Sequence, residues 1–253
     1  MKFFIDGKEI KTVISGATIS GSLNLVSRCA SFSYIYSPMD KEFEIYKAKI
    51  GSLVLIKNES KNIFQGKITS INYQAESKVI QIQAKDLFSI LLETKPIGRF
   101  KGNLLNVLKQ VLDKNNIIPV VNNFIKNEIN IVNFGELTSF DVIKIAINKV
   151  YGDDFKLFLD GDLNLNILFP LISNSKADFI IGENIISSNF SSSKIGNTSI
   201  ITAIGNNEIV SGSVIRVIEP NNGFFGYFVV QKDRHVYNLG HIMELEIKER
   251  ISI

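Results

Sequence analysis

The sequence predicts an α+β fold that is mainly β, with two strand-rich ends flanking a small α+β insert. Three observations point there. Alternating apolar residues dominate the two ends, apolar residues recur at helical spacing between them, and one strand–turn–strand pattern occurs near both ends. With 253 residues the chain can bury a sizeable core, and the expected division is 1–96, 97–176 and 177–253.

The first block opens with a hairpin pattern: Phe3-Phe4-Ile5, a turn at Asp6-Gly7, then Glu9-Ile10. Ser22 to Tyr36 carries alternation (Leu23, Leu25, Ala30, Phe32, Tyr34, Tyr36) that predicts one or two extended strands, and Glu42 to Tyr46 alternates again. Leu53-Val54-Leu55-Ile56 is apolar at consecutive positions, the pattern of a central strand covered on both faces. After a polar turn at 58–62, Ile63 to Tyr73 predicts a long strand in which Gly66 marks a bulge or a close backbone approach. Lys78 to Ala84 predicts the next strand and Asp86 to Glu93 a short helix.

In the insert the period changes. Leu104, Leu108, Val111 and Leu112 predict a helix over 103–114. A capping-box pattern, Thr138-x-x-Asp141, opens a second helix through Phe140, Ile143, Ile147 and Val150, which Gly152 should stop. Residues 155–159 and 163–169, joined by Asp160-Gly161-Asp162, predict a hairpin. The last block reads as strands at 185–190, 199–204, 214–218, 224–236 and 240–250. In the last of these His241, Met243, Leu245 and Ile247 share one face and Glu244, Glu246, Lys248 and Arg250 the other. That charged stripe is a solvated edge or, in the sharper reading, a subunit interface.

The pattern shared by the ends is specific. Gly51-Ser52-Leu53-Val54-Leu55-Ile56, a turn, Ile63-Phe64 and Gly66 is echoed by Gly212-Ser213-Val214-Ile215-Arg216-Val217, a turn at 220–223, Phe224-Phe225 and Gly226. Two similar barrel units in one chain have a geometric use: three copies present six quasi-equivalent units to a sixfold partner.

Catalytic chemistry is thinly supplied. The chain has two histidines, one cysteine and no tryptophan. His235 and His241 are not at a helical metal-ligand spacing, and His241 reads as a hydrogen-bonded histidine of an apolar face. Asp160 to Asn166 mimics a calcium loop but lacks the glycine at loop position six and the closing glutamate, so it reads as a turn. No nucleophile elbow, HExxH or complete phosphate loop occurs. The expectation is no catalytic, metal or cofactor site. Cys29 reads as a small buried hydrophobe of a chain folded in a reducing cytoplasm. A net charge of +3 is too small for a dedicated nucleic-acid surface. No apolar run approaches the roughly 18 residues of a membrane span, and Asp6-Gly7 interrupts the start too early for a signal peptide.

The 22–36 opening, the run from Gly51-Ser52-Leu53-Val54-Leu55-Ile56 to Phe64-Gln65-Gly66-Lys67-Ile68, the exit Ile80-Gln81-Ile82-Gln83-Ala84-Lys85-Asp86 and the ending His235…Gly240-His241-Ile242-Met243-Glu244-Leu245 resemble the tail hub family. That family includes baseplate hubs of contractile-tail phages, defective-prophage hubs and phage-tail-like bacteriocins. The resemblance implies two tube-protein-like β-barrels per chain and a homotrimeric ring that adapts a sixfold tail tube to a threefold central spike. It implies as partners the tail tube or tube-initiator protein, the spike, the tape measure protein and baseplate wedge proteins. DNA would only pass through the lumen, and no membrane is involved. Two rival readings are a glycan-binding or adhesin-like β module, which needs exposed aromatic platforms, and a cell-wall hydrolase, which needs an acidic pair in a cleft.

Overall fold

The computed structural model describes residues 1–39, 47–121, 128–170, 174–190, 198–220 and 224–249, and the side chains of Phe224 and Phe225 lie outside this description. The strand expected at 42–46, residues 221–223 of the turn expected at 220–223, and Arg250 fall outside the described residues.

The first block holds β1 (Lys2–Ile5), β2 (Lys8–Ile10), β3 (Val13–Ser22), β4 (Cys29–Ile35), β5 (Leu53–Asn58), β6 (Lys61–Gln74) and β7 (Val79–Asp86). Asp6 and Gly7, at φ 48° and 79°, make the tight turn between β1 and β2, the left-handed pair that matches strand twist. Two expectations fail in this block. Residues 23–28 are a connection rather than strand, and β3 lies before them in a Gly/Ser/Thr-rich stretch. β5 sits between β1 and β6 but buries one face only, since Leu53 is 44% exposed while Val54 and Ile56 are sealed.

The middle block runs α1 (Phe88–Glu93), β8 (Ile97–Gly102), α2 (Leu104–Leu112), β9 (Ile118–Val120), β10 (Ile129–Phe134), α3 (Ser139–Tyr151), β11 (Lys156–Leu159) and β12 (Asn164–Leu168). Asn103 caps α2 by accepting from the Asn106 amide at 2.9 Å. Thr138 and Asp141 form both arms of the capping box at the start of α3, at 3.1 and 3.0 Å, and Gly152 ends it at φ 77°. β8 pairs with β10, and β9, β12 and β11 form a small sheet. The loop between β11 and β12 takes four residues, 160–163, with Leu163 at φ 62°.

The last block contributes β13 (Asp178–Ile180), β14 (Ile185–Asn189), β15 (Thr198–Ile204), β16 (Val214–Glu219), β17 (Phe224–Tyr237) and β18 (His241–Glu249). The two β blocks share one sheet, in the order β14-β15-β18-β17-β3-β4-β7-β6-β5-β1-β2, with β16 along the first part of the β17 edge that β3 occupies farther on, and β13 on β16. The blocks meet where β17 runs antiparallel to β3, Tyr237 opposite Ala17 and Lys232 opposite Ser22.

Three apolar clusters lie behind this framework. One collects Phe3, Phe32, Tyr34, Ile56, Ile68 and Ile82, and takes in Tyr237 from the far end of the chain. A second gathers Leu87, Phe88 and Leu91 with the inward faces of α2 and α3. The third holds Phe179, Ile201, Ile215, Met243, Leu245 and Ile247. Each fully buried aliphatic side chain contributes about 1.5–3 kcal/mol relative to exposure. The first helix thus packs with the insert, so the change of core falls just after Asp86.

Thr138→Ala removes one arm of the α3 cap and should lower stability by about 1 kcal/mol; urea unfolding followed by circular dichroism measures it, and an unchanged midpoint would deny the cap that role.

Candidate functional site

The polar heart of the protein is the seam where the three blocks meet. Asp233, on β17, has no exposed side-chain surface, and Arg28 from the 23–28 connection reaches it with Nη2 at 2.5 Å from Oδ2. The Ser211 amide donates to Asp233 Oδ1 at 2.7 Å. Burial works to raise this carboxyl's pKa, but the Arg28 guanidinium and the contacts from His235 and Ser211 hold it well below the usual carboxylate range. Arg28 Nε is buried beside the pair with no hydrogen-bond partner among the described residues. The guanidinium therefore engages at a single point rather than as a fork.

The same connection is held from two more sides. Asp86, at the exit of β7, accepts from Ser27 Oγ at 2.6 Å and from the Arg28 amide at 3.0 Å. Its burial raises its pKa against these hydrogen bonds. Lys156, the first residue of β11, is nearly sealed and donates from Nζ to the carbonyls of Ser22, at 2.8 Å, Leu23, at 2.9 Å, and Leu25. Burial pulls its pKa down to about 8, opposed by Asp233 and Asp86. A cation from the insert thus closes the turn of the first block.

Beside the ion pair lie both histidines. His235 is 2% exposed, and its Nε2 lies 2.9 Å from the Ile209 carbonyl, which can only accept, so that nitrogen carries the proton. Its Nδ1 lies 3.0 Å from His241 Nε2, and the half-buried His241 ring stacks on Tyr237 with centroids 4.1 Å apart. Burial and the neighbouring His235 push His241 down to about 4; burial likewise pushes the Tyr237 hydroxyl up to about 12 as it donates to Asn207. The hairpin register, Tyr237 opposite His241, brings together two histidines that helical spacing had set apart. Among the described residues no three His, Cys, Asp or Glu side chains group to hold a metal ion.

A cleft of about 210 Å³ opens against this seam, lined by Asn62, Asp160, Asp162, Lys176, Glu208 and His235 among others. The Asp160 carboxylate is occupied by its own turn, accepting from the amides of Asp162 and Asn164, both at 2.9 Å. Asn164 and Asn166 turn their amides toward it and are half-buried. Asp162 accepts from Asn62 Nδ2 at 2.7 Å, docking the turn on β6. A Cβ on Gly161 would stand 2.1 Å from the Asn62 carbonyl oxygen, so the approach needs glycine.

The charged stripe of β18 is engaged within the chain. Glu244 pairs with Arg234 at 2.9 Å and Glu246 with Lys232 at 2.7 Å, each directly across the sheet. Lys248 is exposed. Cys29 is half-buried rather than sealed, and burial pushes its thiol up.

The sequence echo proves to be a repeat of hydrogen bonds. Gly51 and Gly212 adopt φ 87° and 91°, and their amides donate to Ile68 and Val230, both at 2.8 Å. Ile68 and Val230 donate back to Ser52 and Ser213, both at 2.9 Å. A bulge follows in each half, between Ile68 and Ser70 and between Val230 and Lys232. Strand order agrees as well: β3-β4-β7-β6-β5 matches β14-β15-β18-β17-β16. The glycines later in the echo are not equivalent. Gly66 lies opposite Val54, where the second half puts Phe228 opposite Ile215. Gly66 is a close approach, its missing Cβ 2.1 Å from the Lys85 carbonyl oxygen.

In sequence, residues 17–200 match the YQBQ-like family, most of the chain. The chain belongs to the YQBQ-like family. No curated protein sequence matches it. In three dimensions this YQBQ-like protein is similar to a tail protein from Neisseria meningitidis, at 15% identity and TM-score 0.69, over 98% of this chain and 95% of that one. It is also similar to the 43 kDa tail protein of a Shewanella oneidensis prophage, at 13% identity and TM-score 0.68, covering 97% and 96%. A third similar structure is an E. coli component of the type VI secretion system, itself described as similar to bacteriophage tail proteins, at 10% identity, TM-score 0.60, and 98% and 76% coverage. The YQBQ-like chain thus has the fold of these tail proteins. Among its described residues no helix is long and apolar enough to cross a membrane.

Two outcomes follow for the seam of the YQBQ-like protein. Arg28→Met, which strands the Asp233 charge, should cost about 3–5 kcal/mol. Adding Asp233→Asn to that variant should cost far less than the same change in the native chain; a double-mutant cycle from urea unfolding reads the coupling, and simple additivity would deny it. The second outcome concerns pH. His241 has a folded pKa of about 4, below its ordinary 6.5. Between those values the unfolded chain binds the proton and the folded one does not, so stability falls as pH drops from 6.5 toward 4. His241→Gln should flatten that part of the melting-temperature profile. Asp86 acts in the opposite sense but is common to both chains, so the difference between them isolates His241.

Proposed function

We propose that this chain is a non-enzymatic structural subunit of a tail baseplate, the hub that forms a homotrimeric ring between a sixfold tail tube and a threefold central spike. The observation that carries this reading is the repeated hydrogen-bond frame: two halves with one strand order, fused in a single sheet, on a fold shared with tail proteins. Three such chains supply six similar units, which is what a threefold-to-sixfold adaptor requires. On this reading residues 1–96 and 177–253 are tube-like barrel units flanking the insert at 97–176, and the first boundary falls nearer Asp86, where the core changes. The partners are the tube or tube-initiator protein, the spike, the tape measure protein and wedge proteins, with DNA only in passage.

The seam favours a structural role. Its buried charges are already paired with one another and with backbone carbonyls, an arrangement that fixes the blocks rather than meeting a substrate. Glu244, Glu246 and Lys248, with Arg250, form part of a subunit interface on this proposal; the pairs to Arg234 and Lys232 would pre-orient the two glutamates, although exposed pairs of this kind are individually worth only about 0–1 kcal/mol.

Light scattering over a concentration series, with and without the neighbouring spike protein, tests the reading. A trimer, formed alone or on adding the spike, is expected. A persistent monomer indifferent to the spike would overturn the hub role and redirect the search to glycan binding.

A further inference from the structure

The internal repeat leaves two strand edges without the neighbours that their counterparts possess. β6 and β17 are equivalent long strands, and β17 serves two neighbours along one edge. In β17, residues up to Val229 pair with β16, and beyond the bulge Lys232–Tyr237 pair with β3. In β6, residues up to Lys67 pair with β5. Beyond the equivalent bulge Ser70–Gln74 have β7 on one side and, among the described residues, no strand on the other.

The missing neighbour is the equivalent of β3, and that is β14, which ends the sheet. Beyond an isolated bridge from Ile181 to Ile185, its outer edge has no strand partner among the described residues. The chain therefore carries both sides of one strand junction at separate places, and completes that junction once within itself.

We infer that Tyr73 and Gln74, at the end of this open β6 edge in one copy, pair antiparallel with Asn189 and Phe190, at the end of the open β14 edge of a second copy, in the register of the internal junction. The number of copies rests on the hub reading above; the pairing rests on the repeat. The register follows from the ladders. Lys67 corresponds to Val229, and across the bulges Tyr73 and Gln74 correspond to His235 and Val236. Thr18 lies opposite Ser31 as Asn189 lies opposite Ile200, so Asn189 corresponds to Thr18 and Phe190 to Ile19. Because Val236 faces Thr18 and His235 faces Ile19, Gln74 should face Asn189 and Tyr73 should face Phe190.

Exposure supports this register independently. At the internal junction His235 and Ile19 are 2% and 1% exposed. Their counterparts at the open edges are two partly exposed aromatic residues, Tyr73 at 45%, edge-on to Tyr36, and Phe190 at 42%, beside Phe228. Opposed across a second junction they would cover each other as a cross-strand aromatic pair. An open edge carrying apolar side chains is otherwise the arrangement that proteins avoid, because it invites uncontrolled pairing.

The test is a disulfide that only two chains can make. On a Cys29→Ser background, full-length Tyr73→Cys and Phe190→Cys variants are prepared separately, then mixed and oxidised. Directly opposed residues have Cα atoms about 4.5–5.5 Å apart, within disulfide reach of about 4.4–6.8 Å. Both positions are exposed, and circular dichroism checks each fold. The expected result is a covalent dimer in the mixture, absent from either variant alone. Ile186→Cys, four residues from Phe190 and so roughly 13 Å along the strand, should not couple to Tyr73→Cys. A trimeric mass without the Tyr73–Phe190 link would overturn the junction and leave the hub reading standing. The link in particles that are not trimeric would uphold the junction and overturn the ring. A monomer with no link would overturn both.

Discussion

Asp233 is an ionised carboxylate without exposed surface, and an isolated charge in that position would cost several kcal/mol. It is tolerated because Arg28 and the Ser211 amide are brought to it from different parts of the chain. The same demand fixes the surroundings. Arg28 can reach only if the 23–28 connection is held in place, which Asp86 does from β7 and Lys156 does from the insert. All three blocks are thus tied to one charge, and the β17–β3 ladder runs through it.

The ion pair also explains the composition of β3. This strand lies between β4 and β17, and a Cβ on Gly21 would stand 2.8 Å from Asp233 Oδ1, while one on Gly16 would stand 1.7 Å from the Tyr237 carbonyl oxygen. Small residues are what the crossing of two blocks leaves room for. A larger side chain at Gly21 would push the ladder away from its charge pair, whereas Thr18 and Ile19 keep β-branched side chains farther along the strand.

How far the sequence could be read follows from the range of the interactions concerned. Both main helices of the insert were legible because their signals are local: Asn103 and Thr138 cap within three residues, and the apolar period needs no partner. The echo at Gly51 and Gly212 was legible for a similar reason, since each glycine's positive φ is a local requirement. Its extension to Gly66 and Gly226 was not sound, because aromatic–glycine pairs recur in hairpins whatever the register. β3 was missed: its residue types answer to Tyr237 and Asp233, more than two hundred positions away, and only the alternation of Ala17 and Ile19 betrayed it. The seam was invisible altogether. Arg28, Asp86, Lys156 and Asp233 carry no motif, and nothing short of the fold places them together.

Tyr237 completes the apolar cluster of the first block, although it lies near the opposite terminus. For a chain leaving a ribosome this sets an order of events. The helices of the insert, closed by contacts near in sequence, are free to form as they emerge. The amino-terminal strands instead wait with one wall of their core open until the last hairpin arrives. Closing so long a loop is entropically costly and slow, so the first core stays open to wrong partners until that hairpin docks, and the step that seals it also joins the two halves.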